Sequence, residues 1–439
     1  FTSPTLFTYS RTLTKLSLRR LMKKAALLIS LAALTGCLQD ASDTKNSLSS
    51  EDIHNSENLQ IDRLFLQQLS ANSVMIKWRG NADRVRLGRS PSKLGLVFTA
   101  SIEEGHRIAK VSNLEPDTNY FYSIGNTESN QQTHRFRTAP LTGSLPSDGD
   151  IRFWLLGDSG TATEFDRDGN PSHPGEAEAV LNGFLSYNSS IAGDQHIDGV
   201  LLLGDNAYPA GTDAEWQGAF FDIYPEILRS SVVLPTIGNH EMGVGPMNIC
   251  LFVDMLGCDL MGEIIIPLGG TSMSSDPNSY DSDGDGPDSE GLPYLNIFTL
   301  PTRGELGGAV SGTEQYYSSD FGNVHIISLD SQLSNSDEDL RATMRDWLIA
   351  DLKASTQQDW KIVIFHHPPY SKGENHDSDL EQREIDMRTT FAPVFEEYGV
   401  DAVYSGHSHS YERSWYLRGH YGLSDSFNAA EHATIDDNG

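Results

Sequence analysis

Cysteine is almost missing: the chain has three in 439 residues. Beyond Cys37 only Cys250 and Cys258 remain, and two nearby cysteines of an exported chain read as one disulfide rather than a metal-holding pair. Basic residues are also few, 31 against 61 acidic ones. That balance, with no basic stripe anywhere, excludes a surface that captures nucleic acid by its phosphates. Any anionic substrate must instead meet a concentrated local positive charge, such as bound metal. A bilayer-spanning apolar run is missing too, because the one pronounced run, AALLISLAAL, is too short to cross.

That run follows Met22-Lys23-Lys24 and leads into Leu34-Thr35-Gly36-Cys37. A positive start, a short apolar stretch and small residues before a cysteine make a signal peptide over 22–37. The last four residues resemble a bacterial lipobox. That resemblance implies lipidation of Cys37, export, and membrane contact through the lipid alone, with Leu38 favouring the outer membrane. Residues 1–21 read as an upstream segment preceding the start. The first 36 residues hold six of the 31 basic residues and none of the 61 acidic ones, so the mature chain carries 25 against 61, a net charge near −36.

Hydrophobic residues make up 38% and charged residues 21%, the composition of a soluble globular protein. Residues 38–58 are polar and read as a flexible tether. From 59 to 140 apolar residues alternate (Val74, Ile76, Trp78; Tyr120, Tyr122, Ile124), which predicts a β-sandwich. Beyond a polar linker, strand-like runs at 151–156, 198–203, 232–237, 324–329, 361–365 and 400–404 alternate with helical segments, predicting an α/β arrangement over 150–439. A helix is expected over 337–353, with Leu340, Met344, Trp347, Leu348 and Leu352 on one face, and another over 383–397 before Gly399.

An insertion over about 245–292 interrupts this pattern. Within it Asp281, Asp283 and Asp285 have the spacing of a calcium loop, though Glu290 falls short of the position that would close the ring. A solvated acidic loop is the competing reading.

Five segments carry the chemistry: GDSG, GDNAY, GNHE, VIFHHPPY and GHSHSYER. Each lies at or just beyond a predicted strand end, where open α/β sheets build their sites. Two cations about 3.5–4 Å apart need a bridging carboxylate and terminal ligands from separate loops; Asp205 is the natural bridge.

In this set and order the chain resembles the purple acid phosphatases, a branch of the calcineurin-like metallophosphoesterases, from about residue 59 onward. Leu114-x-Pro116-x-Thr118-x-Tyr120 and the closing FRTAP resemble the fibronectin type III domain that precedes their catalytic domain. The fold implied is α+β and multidomain: a fibronectin III-like β-sandwich, then an αββα-sandwich metallophosphoesterase domain, C-terminally truncated at Gly439. By the same resemblance Asp158, Asp205, Tyr208 and His409 would hold Fe(3+), and Asp205, Asn239, His366 and His407 would hold Zn(2+), Fe(2+) or Mn(2+). Gly160 stands where most of the superfamily has a ligating histidine, and Tyr208 would fill that place as phenolate. His240, kept oriented by Glu241, would stabilise phosphate or protonate the leaving alcohol, and His376 would face substrate. The family's VxxH spacing, counted from Val363, makes His366 rather than His367 the implied ligand.

Hydrolysis of phosphate monoesters outside the cytoplasm, to scavenge phosphate, is the function this implies. A phosphodiesterase with the same metals is the nearest alternative, and a non-catalytic surface lipoprotein binding a partner or Ca(2+) is the alternative of another class. The sequence leaves the oligomeric state open.

Overall fold

The computed structural model describes residues 60–125, 134–160, 174–192, 197–242, 247–248, 265–266, 291–332, 338–373 and 376–434. These belong to one compact unit, Asn58–Gly439. Cys37, Cys250, Cys258, Asp281, Asp283 and Asp285 lie outside the described residues, as do the leader and the tether. No described helix is long and apolar enough to cross a membrane.

Alternating apolar and polar residues build eight strands first: β1 (Ile61–Gln67), β2 (Val74–Gly80), β3 (Arg84–Gly88), β4 (Leu96–Thr99), β5 (Ser101–Glu103), β6 (His106–Val111), β7 (Asn119–Ile124) and β8 (His134–Arg137). They form a four-stranded sheet, β4-β3-β7-β8, and the β5-β6-β2-β1 half of a larger one. Trp78 from one sheet and Val85, Leu87, Tyr122 and Phe136 from the other share a single buried cluster. The Tyr120 hydroxyl accepts the Glu115 backbone N–H at 3.0 Å, tying the turn before β7.

Parallel strands follow: β9 (Phe153–Leu156), β10 (Gly199–Leu202) and β11 (Val232–Pro235). β11 also pairs in parallel with β1, Leu66 opposite Val232, so one seven-stranded sheet runs from the N-terminal strands into the α/β part. Two short strands, β12 (Met247–Asn248) and β13 (Ile265–Ile266), pair with each other. The second main sheet contains β14 (Tyr317–Phe321), β15 (Val324–Ser328), β16 (Trp360–Ile364) and β17 (Ala402–Tyr404), the last three parallel. A hairpin, β18 (Tyr416–Leu417) with β19 (Ala433–Thr434), completes the strands.

Strand periodicity sorts the layers. Ile326 and Ile364 join the same buried cluster as Leu201, Val233 and Leu234 of the first sheet. Their neighbours Ile327 and Val363 point the other way, into a second cluster with Met344, Trp347, Leu348, Leu352, Phe391 and Phe395 from helices. On the far side of the first sheet Trp154 stacks on Phe184 of the helix Pro174–Ala192, ring centroids 4.2 Å apart. The order is therefore helix, sheet, sheet, helix.

The helix expected over 337–353 spans Glu338–Ala354, with acidic residues in its first turn and Lys353 in its last, each favoured by the helix dipole. Leu340 departs from expectation: it is 48% exposed, because this first turn projects past the helix's first buried residue, Met344. Gly399 ends the helix Ala392–Tyr398 in a left-handed conformation (φ 68°), the backbone state glycine adopts without steric cost.

Candidate metal centre

Every motif loop leaves the C-terminal end of a parallel strand: Asp158 after β9, Asp205 and Tyr208 after β10, Asn239 and His240 after β11, His366 after β16, and His407 and His409 after β17. The two sheets are stitched together at this edge. The Thr236 hydroxyl donates to the Leu329 carbonyl at 2.7 Å, and His366 Nδ1 lies 2.9 Å from the Leu203 carbonyl.

The loops turn sharply where ligand-type residues sit. Asp158 (φ 51°), Asp205 (φ 52°), His407 (φ 70°) and His409 (φ 52°) are all left-handed, a region that non-glycine residues seldom occupy and that concentrates at functional sites. Glycines bring the loops together. A Cβ on Gly406 would lie 2.4 Å from Asp158 Oδ2, and one on Gly204 would lie 2.6 Å from His366 Nδ1.

Two sets of donor atoms result. In one, the Tyr208 hydroxyl lies 3.0 Å from Asp158 Oδ1 and 3.0 Å from His409 Nε2, and the last two atoms are 3.4 Å apart. In the other, His366 Nε2 lies 3.0 Å from Asp205 Oδ2, 3.1 Å from Asn239 Oδ1 and 3.2 Å from His407 Nδ1. Ligand atoms of Asp158, Asp205 and His366 all lie within 4.8 Å of one another, which brings the two sets together.

Protons explain why such sets call for a cation. A carbonyl oxygen only accepts, so His366 Nδ1 carries the hydrogen bonded to Leu203, and Nε2 is the free donor atom of a neutral ring. Four lone-pair atoms then converge with nothing positive between them. Without metal the cage takes up a proton instead. Burial alone would lower the His366 pKa, but the Asp205 carboxylate outweighs it and pushes it up to about 10. For Asp205 burial works upward, and the charges of His366 and His240 still hold it below the usual carboxylate range. Burial first, then the charges of Asp205 and Asp158, drive the Tyr208 phenol well above its ordinary value. His409 is raised by its bond to Asp158, and His407 is lowered to about 4 by burial and the charge on His366.

The residues fit metal. Ligand atoms about 2.0–2.2 Å from one ion stand roughly 3 Å apart when adjacent, as these do. Carboxylate, phenol, amide oxygen and imidazole together suit iron, zinc and manganese.

His240 sits at the rim. Its backbone N–H donates to Asp205 Oδ1 at 2.8 Å, its Nδ1 meets the Pro209 carbonyl at 2.6 Å, and its ring lies 4.4 Å from that of Tyr208. Glu241 does not perform the orienting task expected of it. Its carboxylate accepts the backbone N–H groups of Asp205, Asn206 and Gly238 at 2.7–2.8 Å, and His240 is held by Pro209 instead. The reason is hydrogen bonding: three buried amides from two loops converge on Glu241, and buried amides need an acceptor. Burial, then the Asp205 charge, push the Glu241 carboxyl up to about 8.

His376 is brought to the site, its ring centroid 3.7 Å from that of His407. His366, rather than His367, meets Asp205 and Asn239; His367 Nδ1 bonds the Ser331 hydroxyl at 2.8 Å. One residue was missed from sequence. Glu381 lies 2.7 Å from His376 Nδ1 through Oε1 and 3.0 Å from His407 Nε2 through Oε2. No spacing rule marks it, because only the folded loop brings 381 beside 407.

A sequence profile described as calcineurin-like phosphoesterase matches residues 151–411, more than half of the chain. An uncharacterized protein of Mycobacterium tuberculosis is 25% identical over 394 residues, covering 80% of this chain and 61% of that one. The Fe(3+)-Zn(2+) purple acid phosphatase 12 of Arabidopsis thaliana is 27% identical over 316 residues, covering 69% of this chain and 51% of that one. This chain thus spans about half to three fifths of the length of these relatives. Among solved structures, the purple acid phosphatase PPD1 of yellow lupin (Lupinus luteus) matches with a TM-score of 0.55 at 16% identity, over 82% of this chain and 60% of that one, a likeness of fold.

Proposed function

The chain belongs to the calcineurin-like phosphoesterase family, and from that premise we propose that it hydrolyses phosphate monoesters with two metal ions, in the manner of a purple acid phosphatase. Asp158, Asp205, Tyr208 and His409 would hold a ferric ion. Asp205, Asn239, His366 and His407 would hold a divalent zinc, iron or manganese ion, with Asp205 common to both. Cations held there supply Lewis acidity toward phosphate oxygens and toward water.

The protein's own groups do the rest. Asp205 is buried and its Oδ1 accepts the His240 backbone N–H, so its position is set before substrate arrives. Glu241 fixes the two loops that carry Asp205 and Asn239. Because Nδ1 of His240 donates to Pro209, the other nitrogen faces the site and can hold a proton for the leaving alkoxide. His376 stands beside His407, where an imidazole can bond a phosphate oxygen.

The observation that carries this reading is the convergence of four lone-pair atoms at His366 Nε2, from four loops of one family pattern. The lipobox-like Leu34-Thr35-Gly36-Cys37 supports a location outside the cytoplasm, and such a location supports a phosphate-scavenging role. The two-sheet arrangement over 60–137 and the Leu114–Tyr120 pattern support a fibronectin III-like domain.

Parallel assays test the activity. A nitrophenyl phosphate monoester should be cleaved faster than its bis-ester, and a chelator should abolish both reactions. Faster diester cleavage, or turnover indifferent to chelation, would contradict the proposal.

A further inference from the structure

Glu381 occupies the residue before the helix Gln382–Asp386, with extended backbone (φ −88°, ψ 123°) that turns its side chain back toward the β17 loop. Its two oxygens serve different imidazoles, Oε1 that of His376 and Oε2 that of His407. A carboxylate at neutral pH has only acceptors, so His407 Nε2 and His376 Nδ1 must both carry hydrogen. For His407 this leaves Nδ1 as the bare nitrogen, and Nδ1 is the atom that faces His366 Nε2 at 3.2 Å.

Among the described residues the ring has no comparable hold elsewhere. The His407 backbone N–H is fixed by Asp158 Oδ2 at 2.9 Å, but that bond sets the chain, not the tautomer. The rings of His367 and His376 pack against it without choosing between its nitrogens, and the His366 ring meets it through Nε2, which the Leu203 bond leaves without hydrogen in the neutral ring.

We infer that Glu381 is a positioning residue for the divalent-metal half of the centre: it fixes His407 in the tautomer that presents Nδ1 and, with its other oxygen, holds His376 stacked over that ring. This rests on the reading of His407 as a metal ligand. Carboxylates that fix a ligating histidine in this way typically change metal affinity 10–100-fold when removed. Glutamine in its place can donate as well as accept, so both tautomers of His407 become available and part of the population turns a protonated nitrogen toward the ion.

The test is a zinc competition titration against a chromophoric chelator on the full chain, run on wild type, Glu381→Gln, Glu381→Asp and His376→Ala, with thermal melts of each metal-free protein. Glu381→Gln should weaken zinc about 10–100-fold without lowering the metal-free melt. Glu381→Asp should recover part of that affinity. His376→Ala should leave affinity near wild type, because the effect passes through His407. Equal affinity in wild type and Glu381→Gln, or a loss that Glu381→Asp does not relieve, overturns the inference while leaving the phosphatase reading intact. Wild type that binds neither zinc nor manganese nor ferrous ion would instead sink that reading, and this inference with it.

Discussion

Gly238 packs so closely on Asp205 that a Cβ added to it would lie 2.2 Å from Oδ1 and 2.3 Å from the backbone nitrogen. The same methyl would lie 2.7 Å from Glu241 Oε2. Both carboxylates are buried, so neither can swing into solvent to make room.

Gly238→Ala should therefore leave the sheets folded and displace Asp205. A shift of about 1 Å in a catalytic group costs on the order of 100-fold in rate. Metal stoichiometry and monoester turnover should fall together, with circular dichroism unchanged; full activity in this variant would mean that Asp205 is not the common ligand.

Partly buried Asp320 and buried Asp351 flank His325 and give a pH dependence remote from the metal site. His325 Nδ1 lies 2.7 Å from Asp320, and Nε2 lies 2.7 Å from Asp351 and 2.9 Å from the Ser355 hydroxyl. Burial alone would lower its pKa, but the two carboxylates outweigh it and raise it from 6.5 to about 9. A raised folded-state value stabilises fully below pH 6.5 and loses that contribution as pH rises through about 9, a change of about 3 kcal/mol. Urea unfolding with saturating metal should show stability falling across that window, and His325→Gln should be less stable with the slope removed. A flat profile in wild type would contradict the assignment of charge to His325.

The join between the N-terminal strands and the α/β part also yields a number. The Tyr122 hydroxyl, fully buried on β7, donates to the Arg229 carbonyl at 2.7 Å. Tyr122→Phe leaves that carbonyl without this donor and should cost about 1–2 kcal/mol in chemical unfolding. Turnover should not change, and an unchanged unfolding midpoint would show that the bond contributes nothing.

Local features of this fold were legible before any coordinates. Asp158, Asp205, Asn239, His366, His407 and His409 follow strand-like runs directly, so period and motif placed them on one edge of the sheets. The helix Glu338–Ala354 announced itself by Met344, Trp347, Leu348 and Leu352 at helical spacing. What escaped depends on approach between distant segments. The β1–β11 pairing rests on Leu66 and Val232, whose strands give no signal of partnership. Glu381 carries no signal in the sequence, and Glu241 looked like a partner for its neighbour His240. Its real bonds go to amides of two separate loops that meet only in the folded chain.

Tyr208 offers the most direct test of the central claim. Its hydroxyl meets Asp158 and His409 at 3.0 Å each, and the account has it ligating a ferric ion there. The measurement is a visible absorption spectrum with metal analysis of wild type and Tyr208→Phe, each expressed from a start after Cys37. Wild type should hold two metals per chain and show a broad visible band that vanishes in Tyr208→Phe. A colourless wild type, or a band that survives the substitution, would contradict tyrosinate ligation of iron at this site.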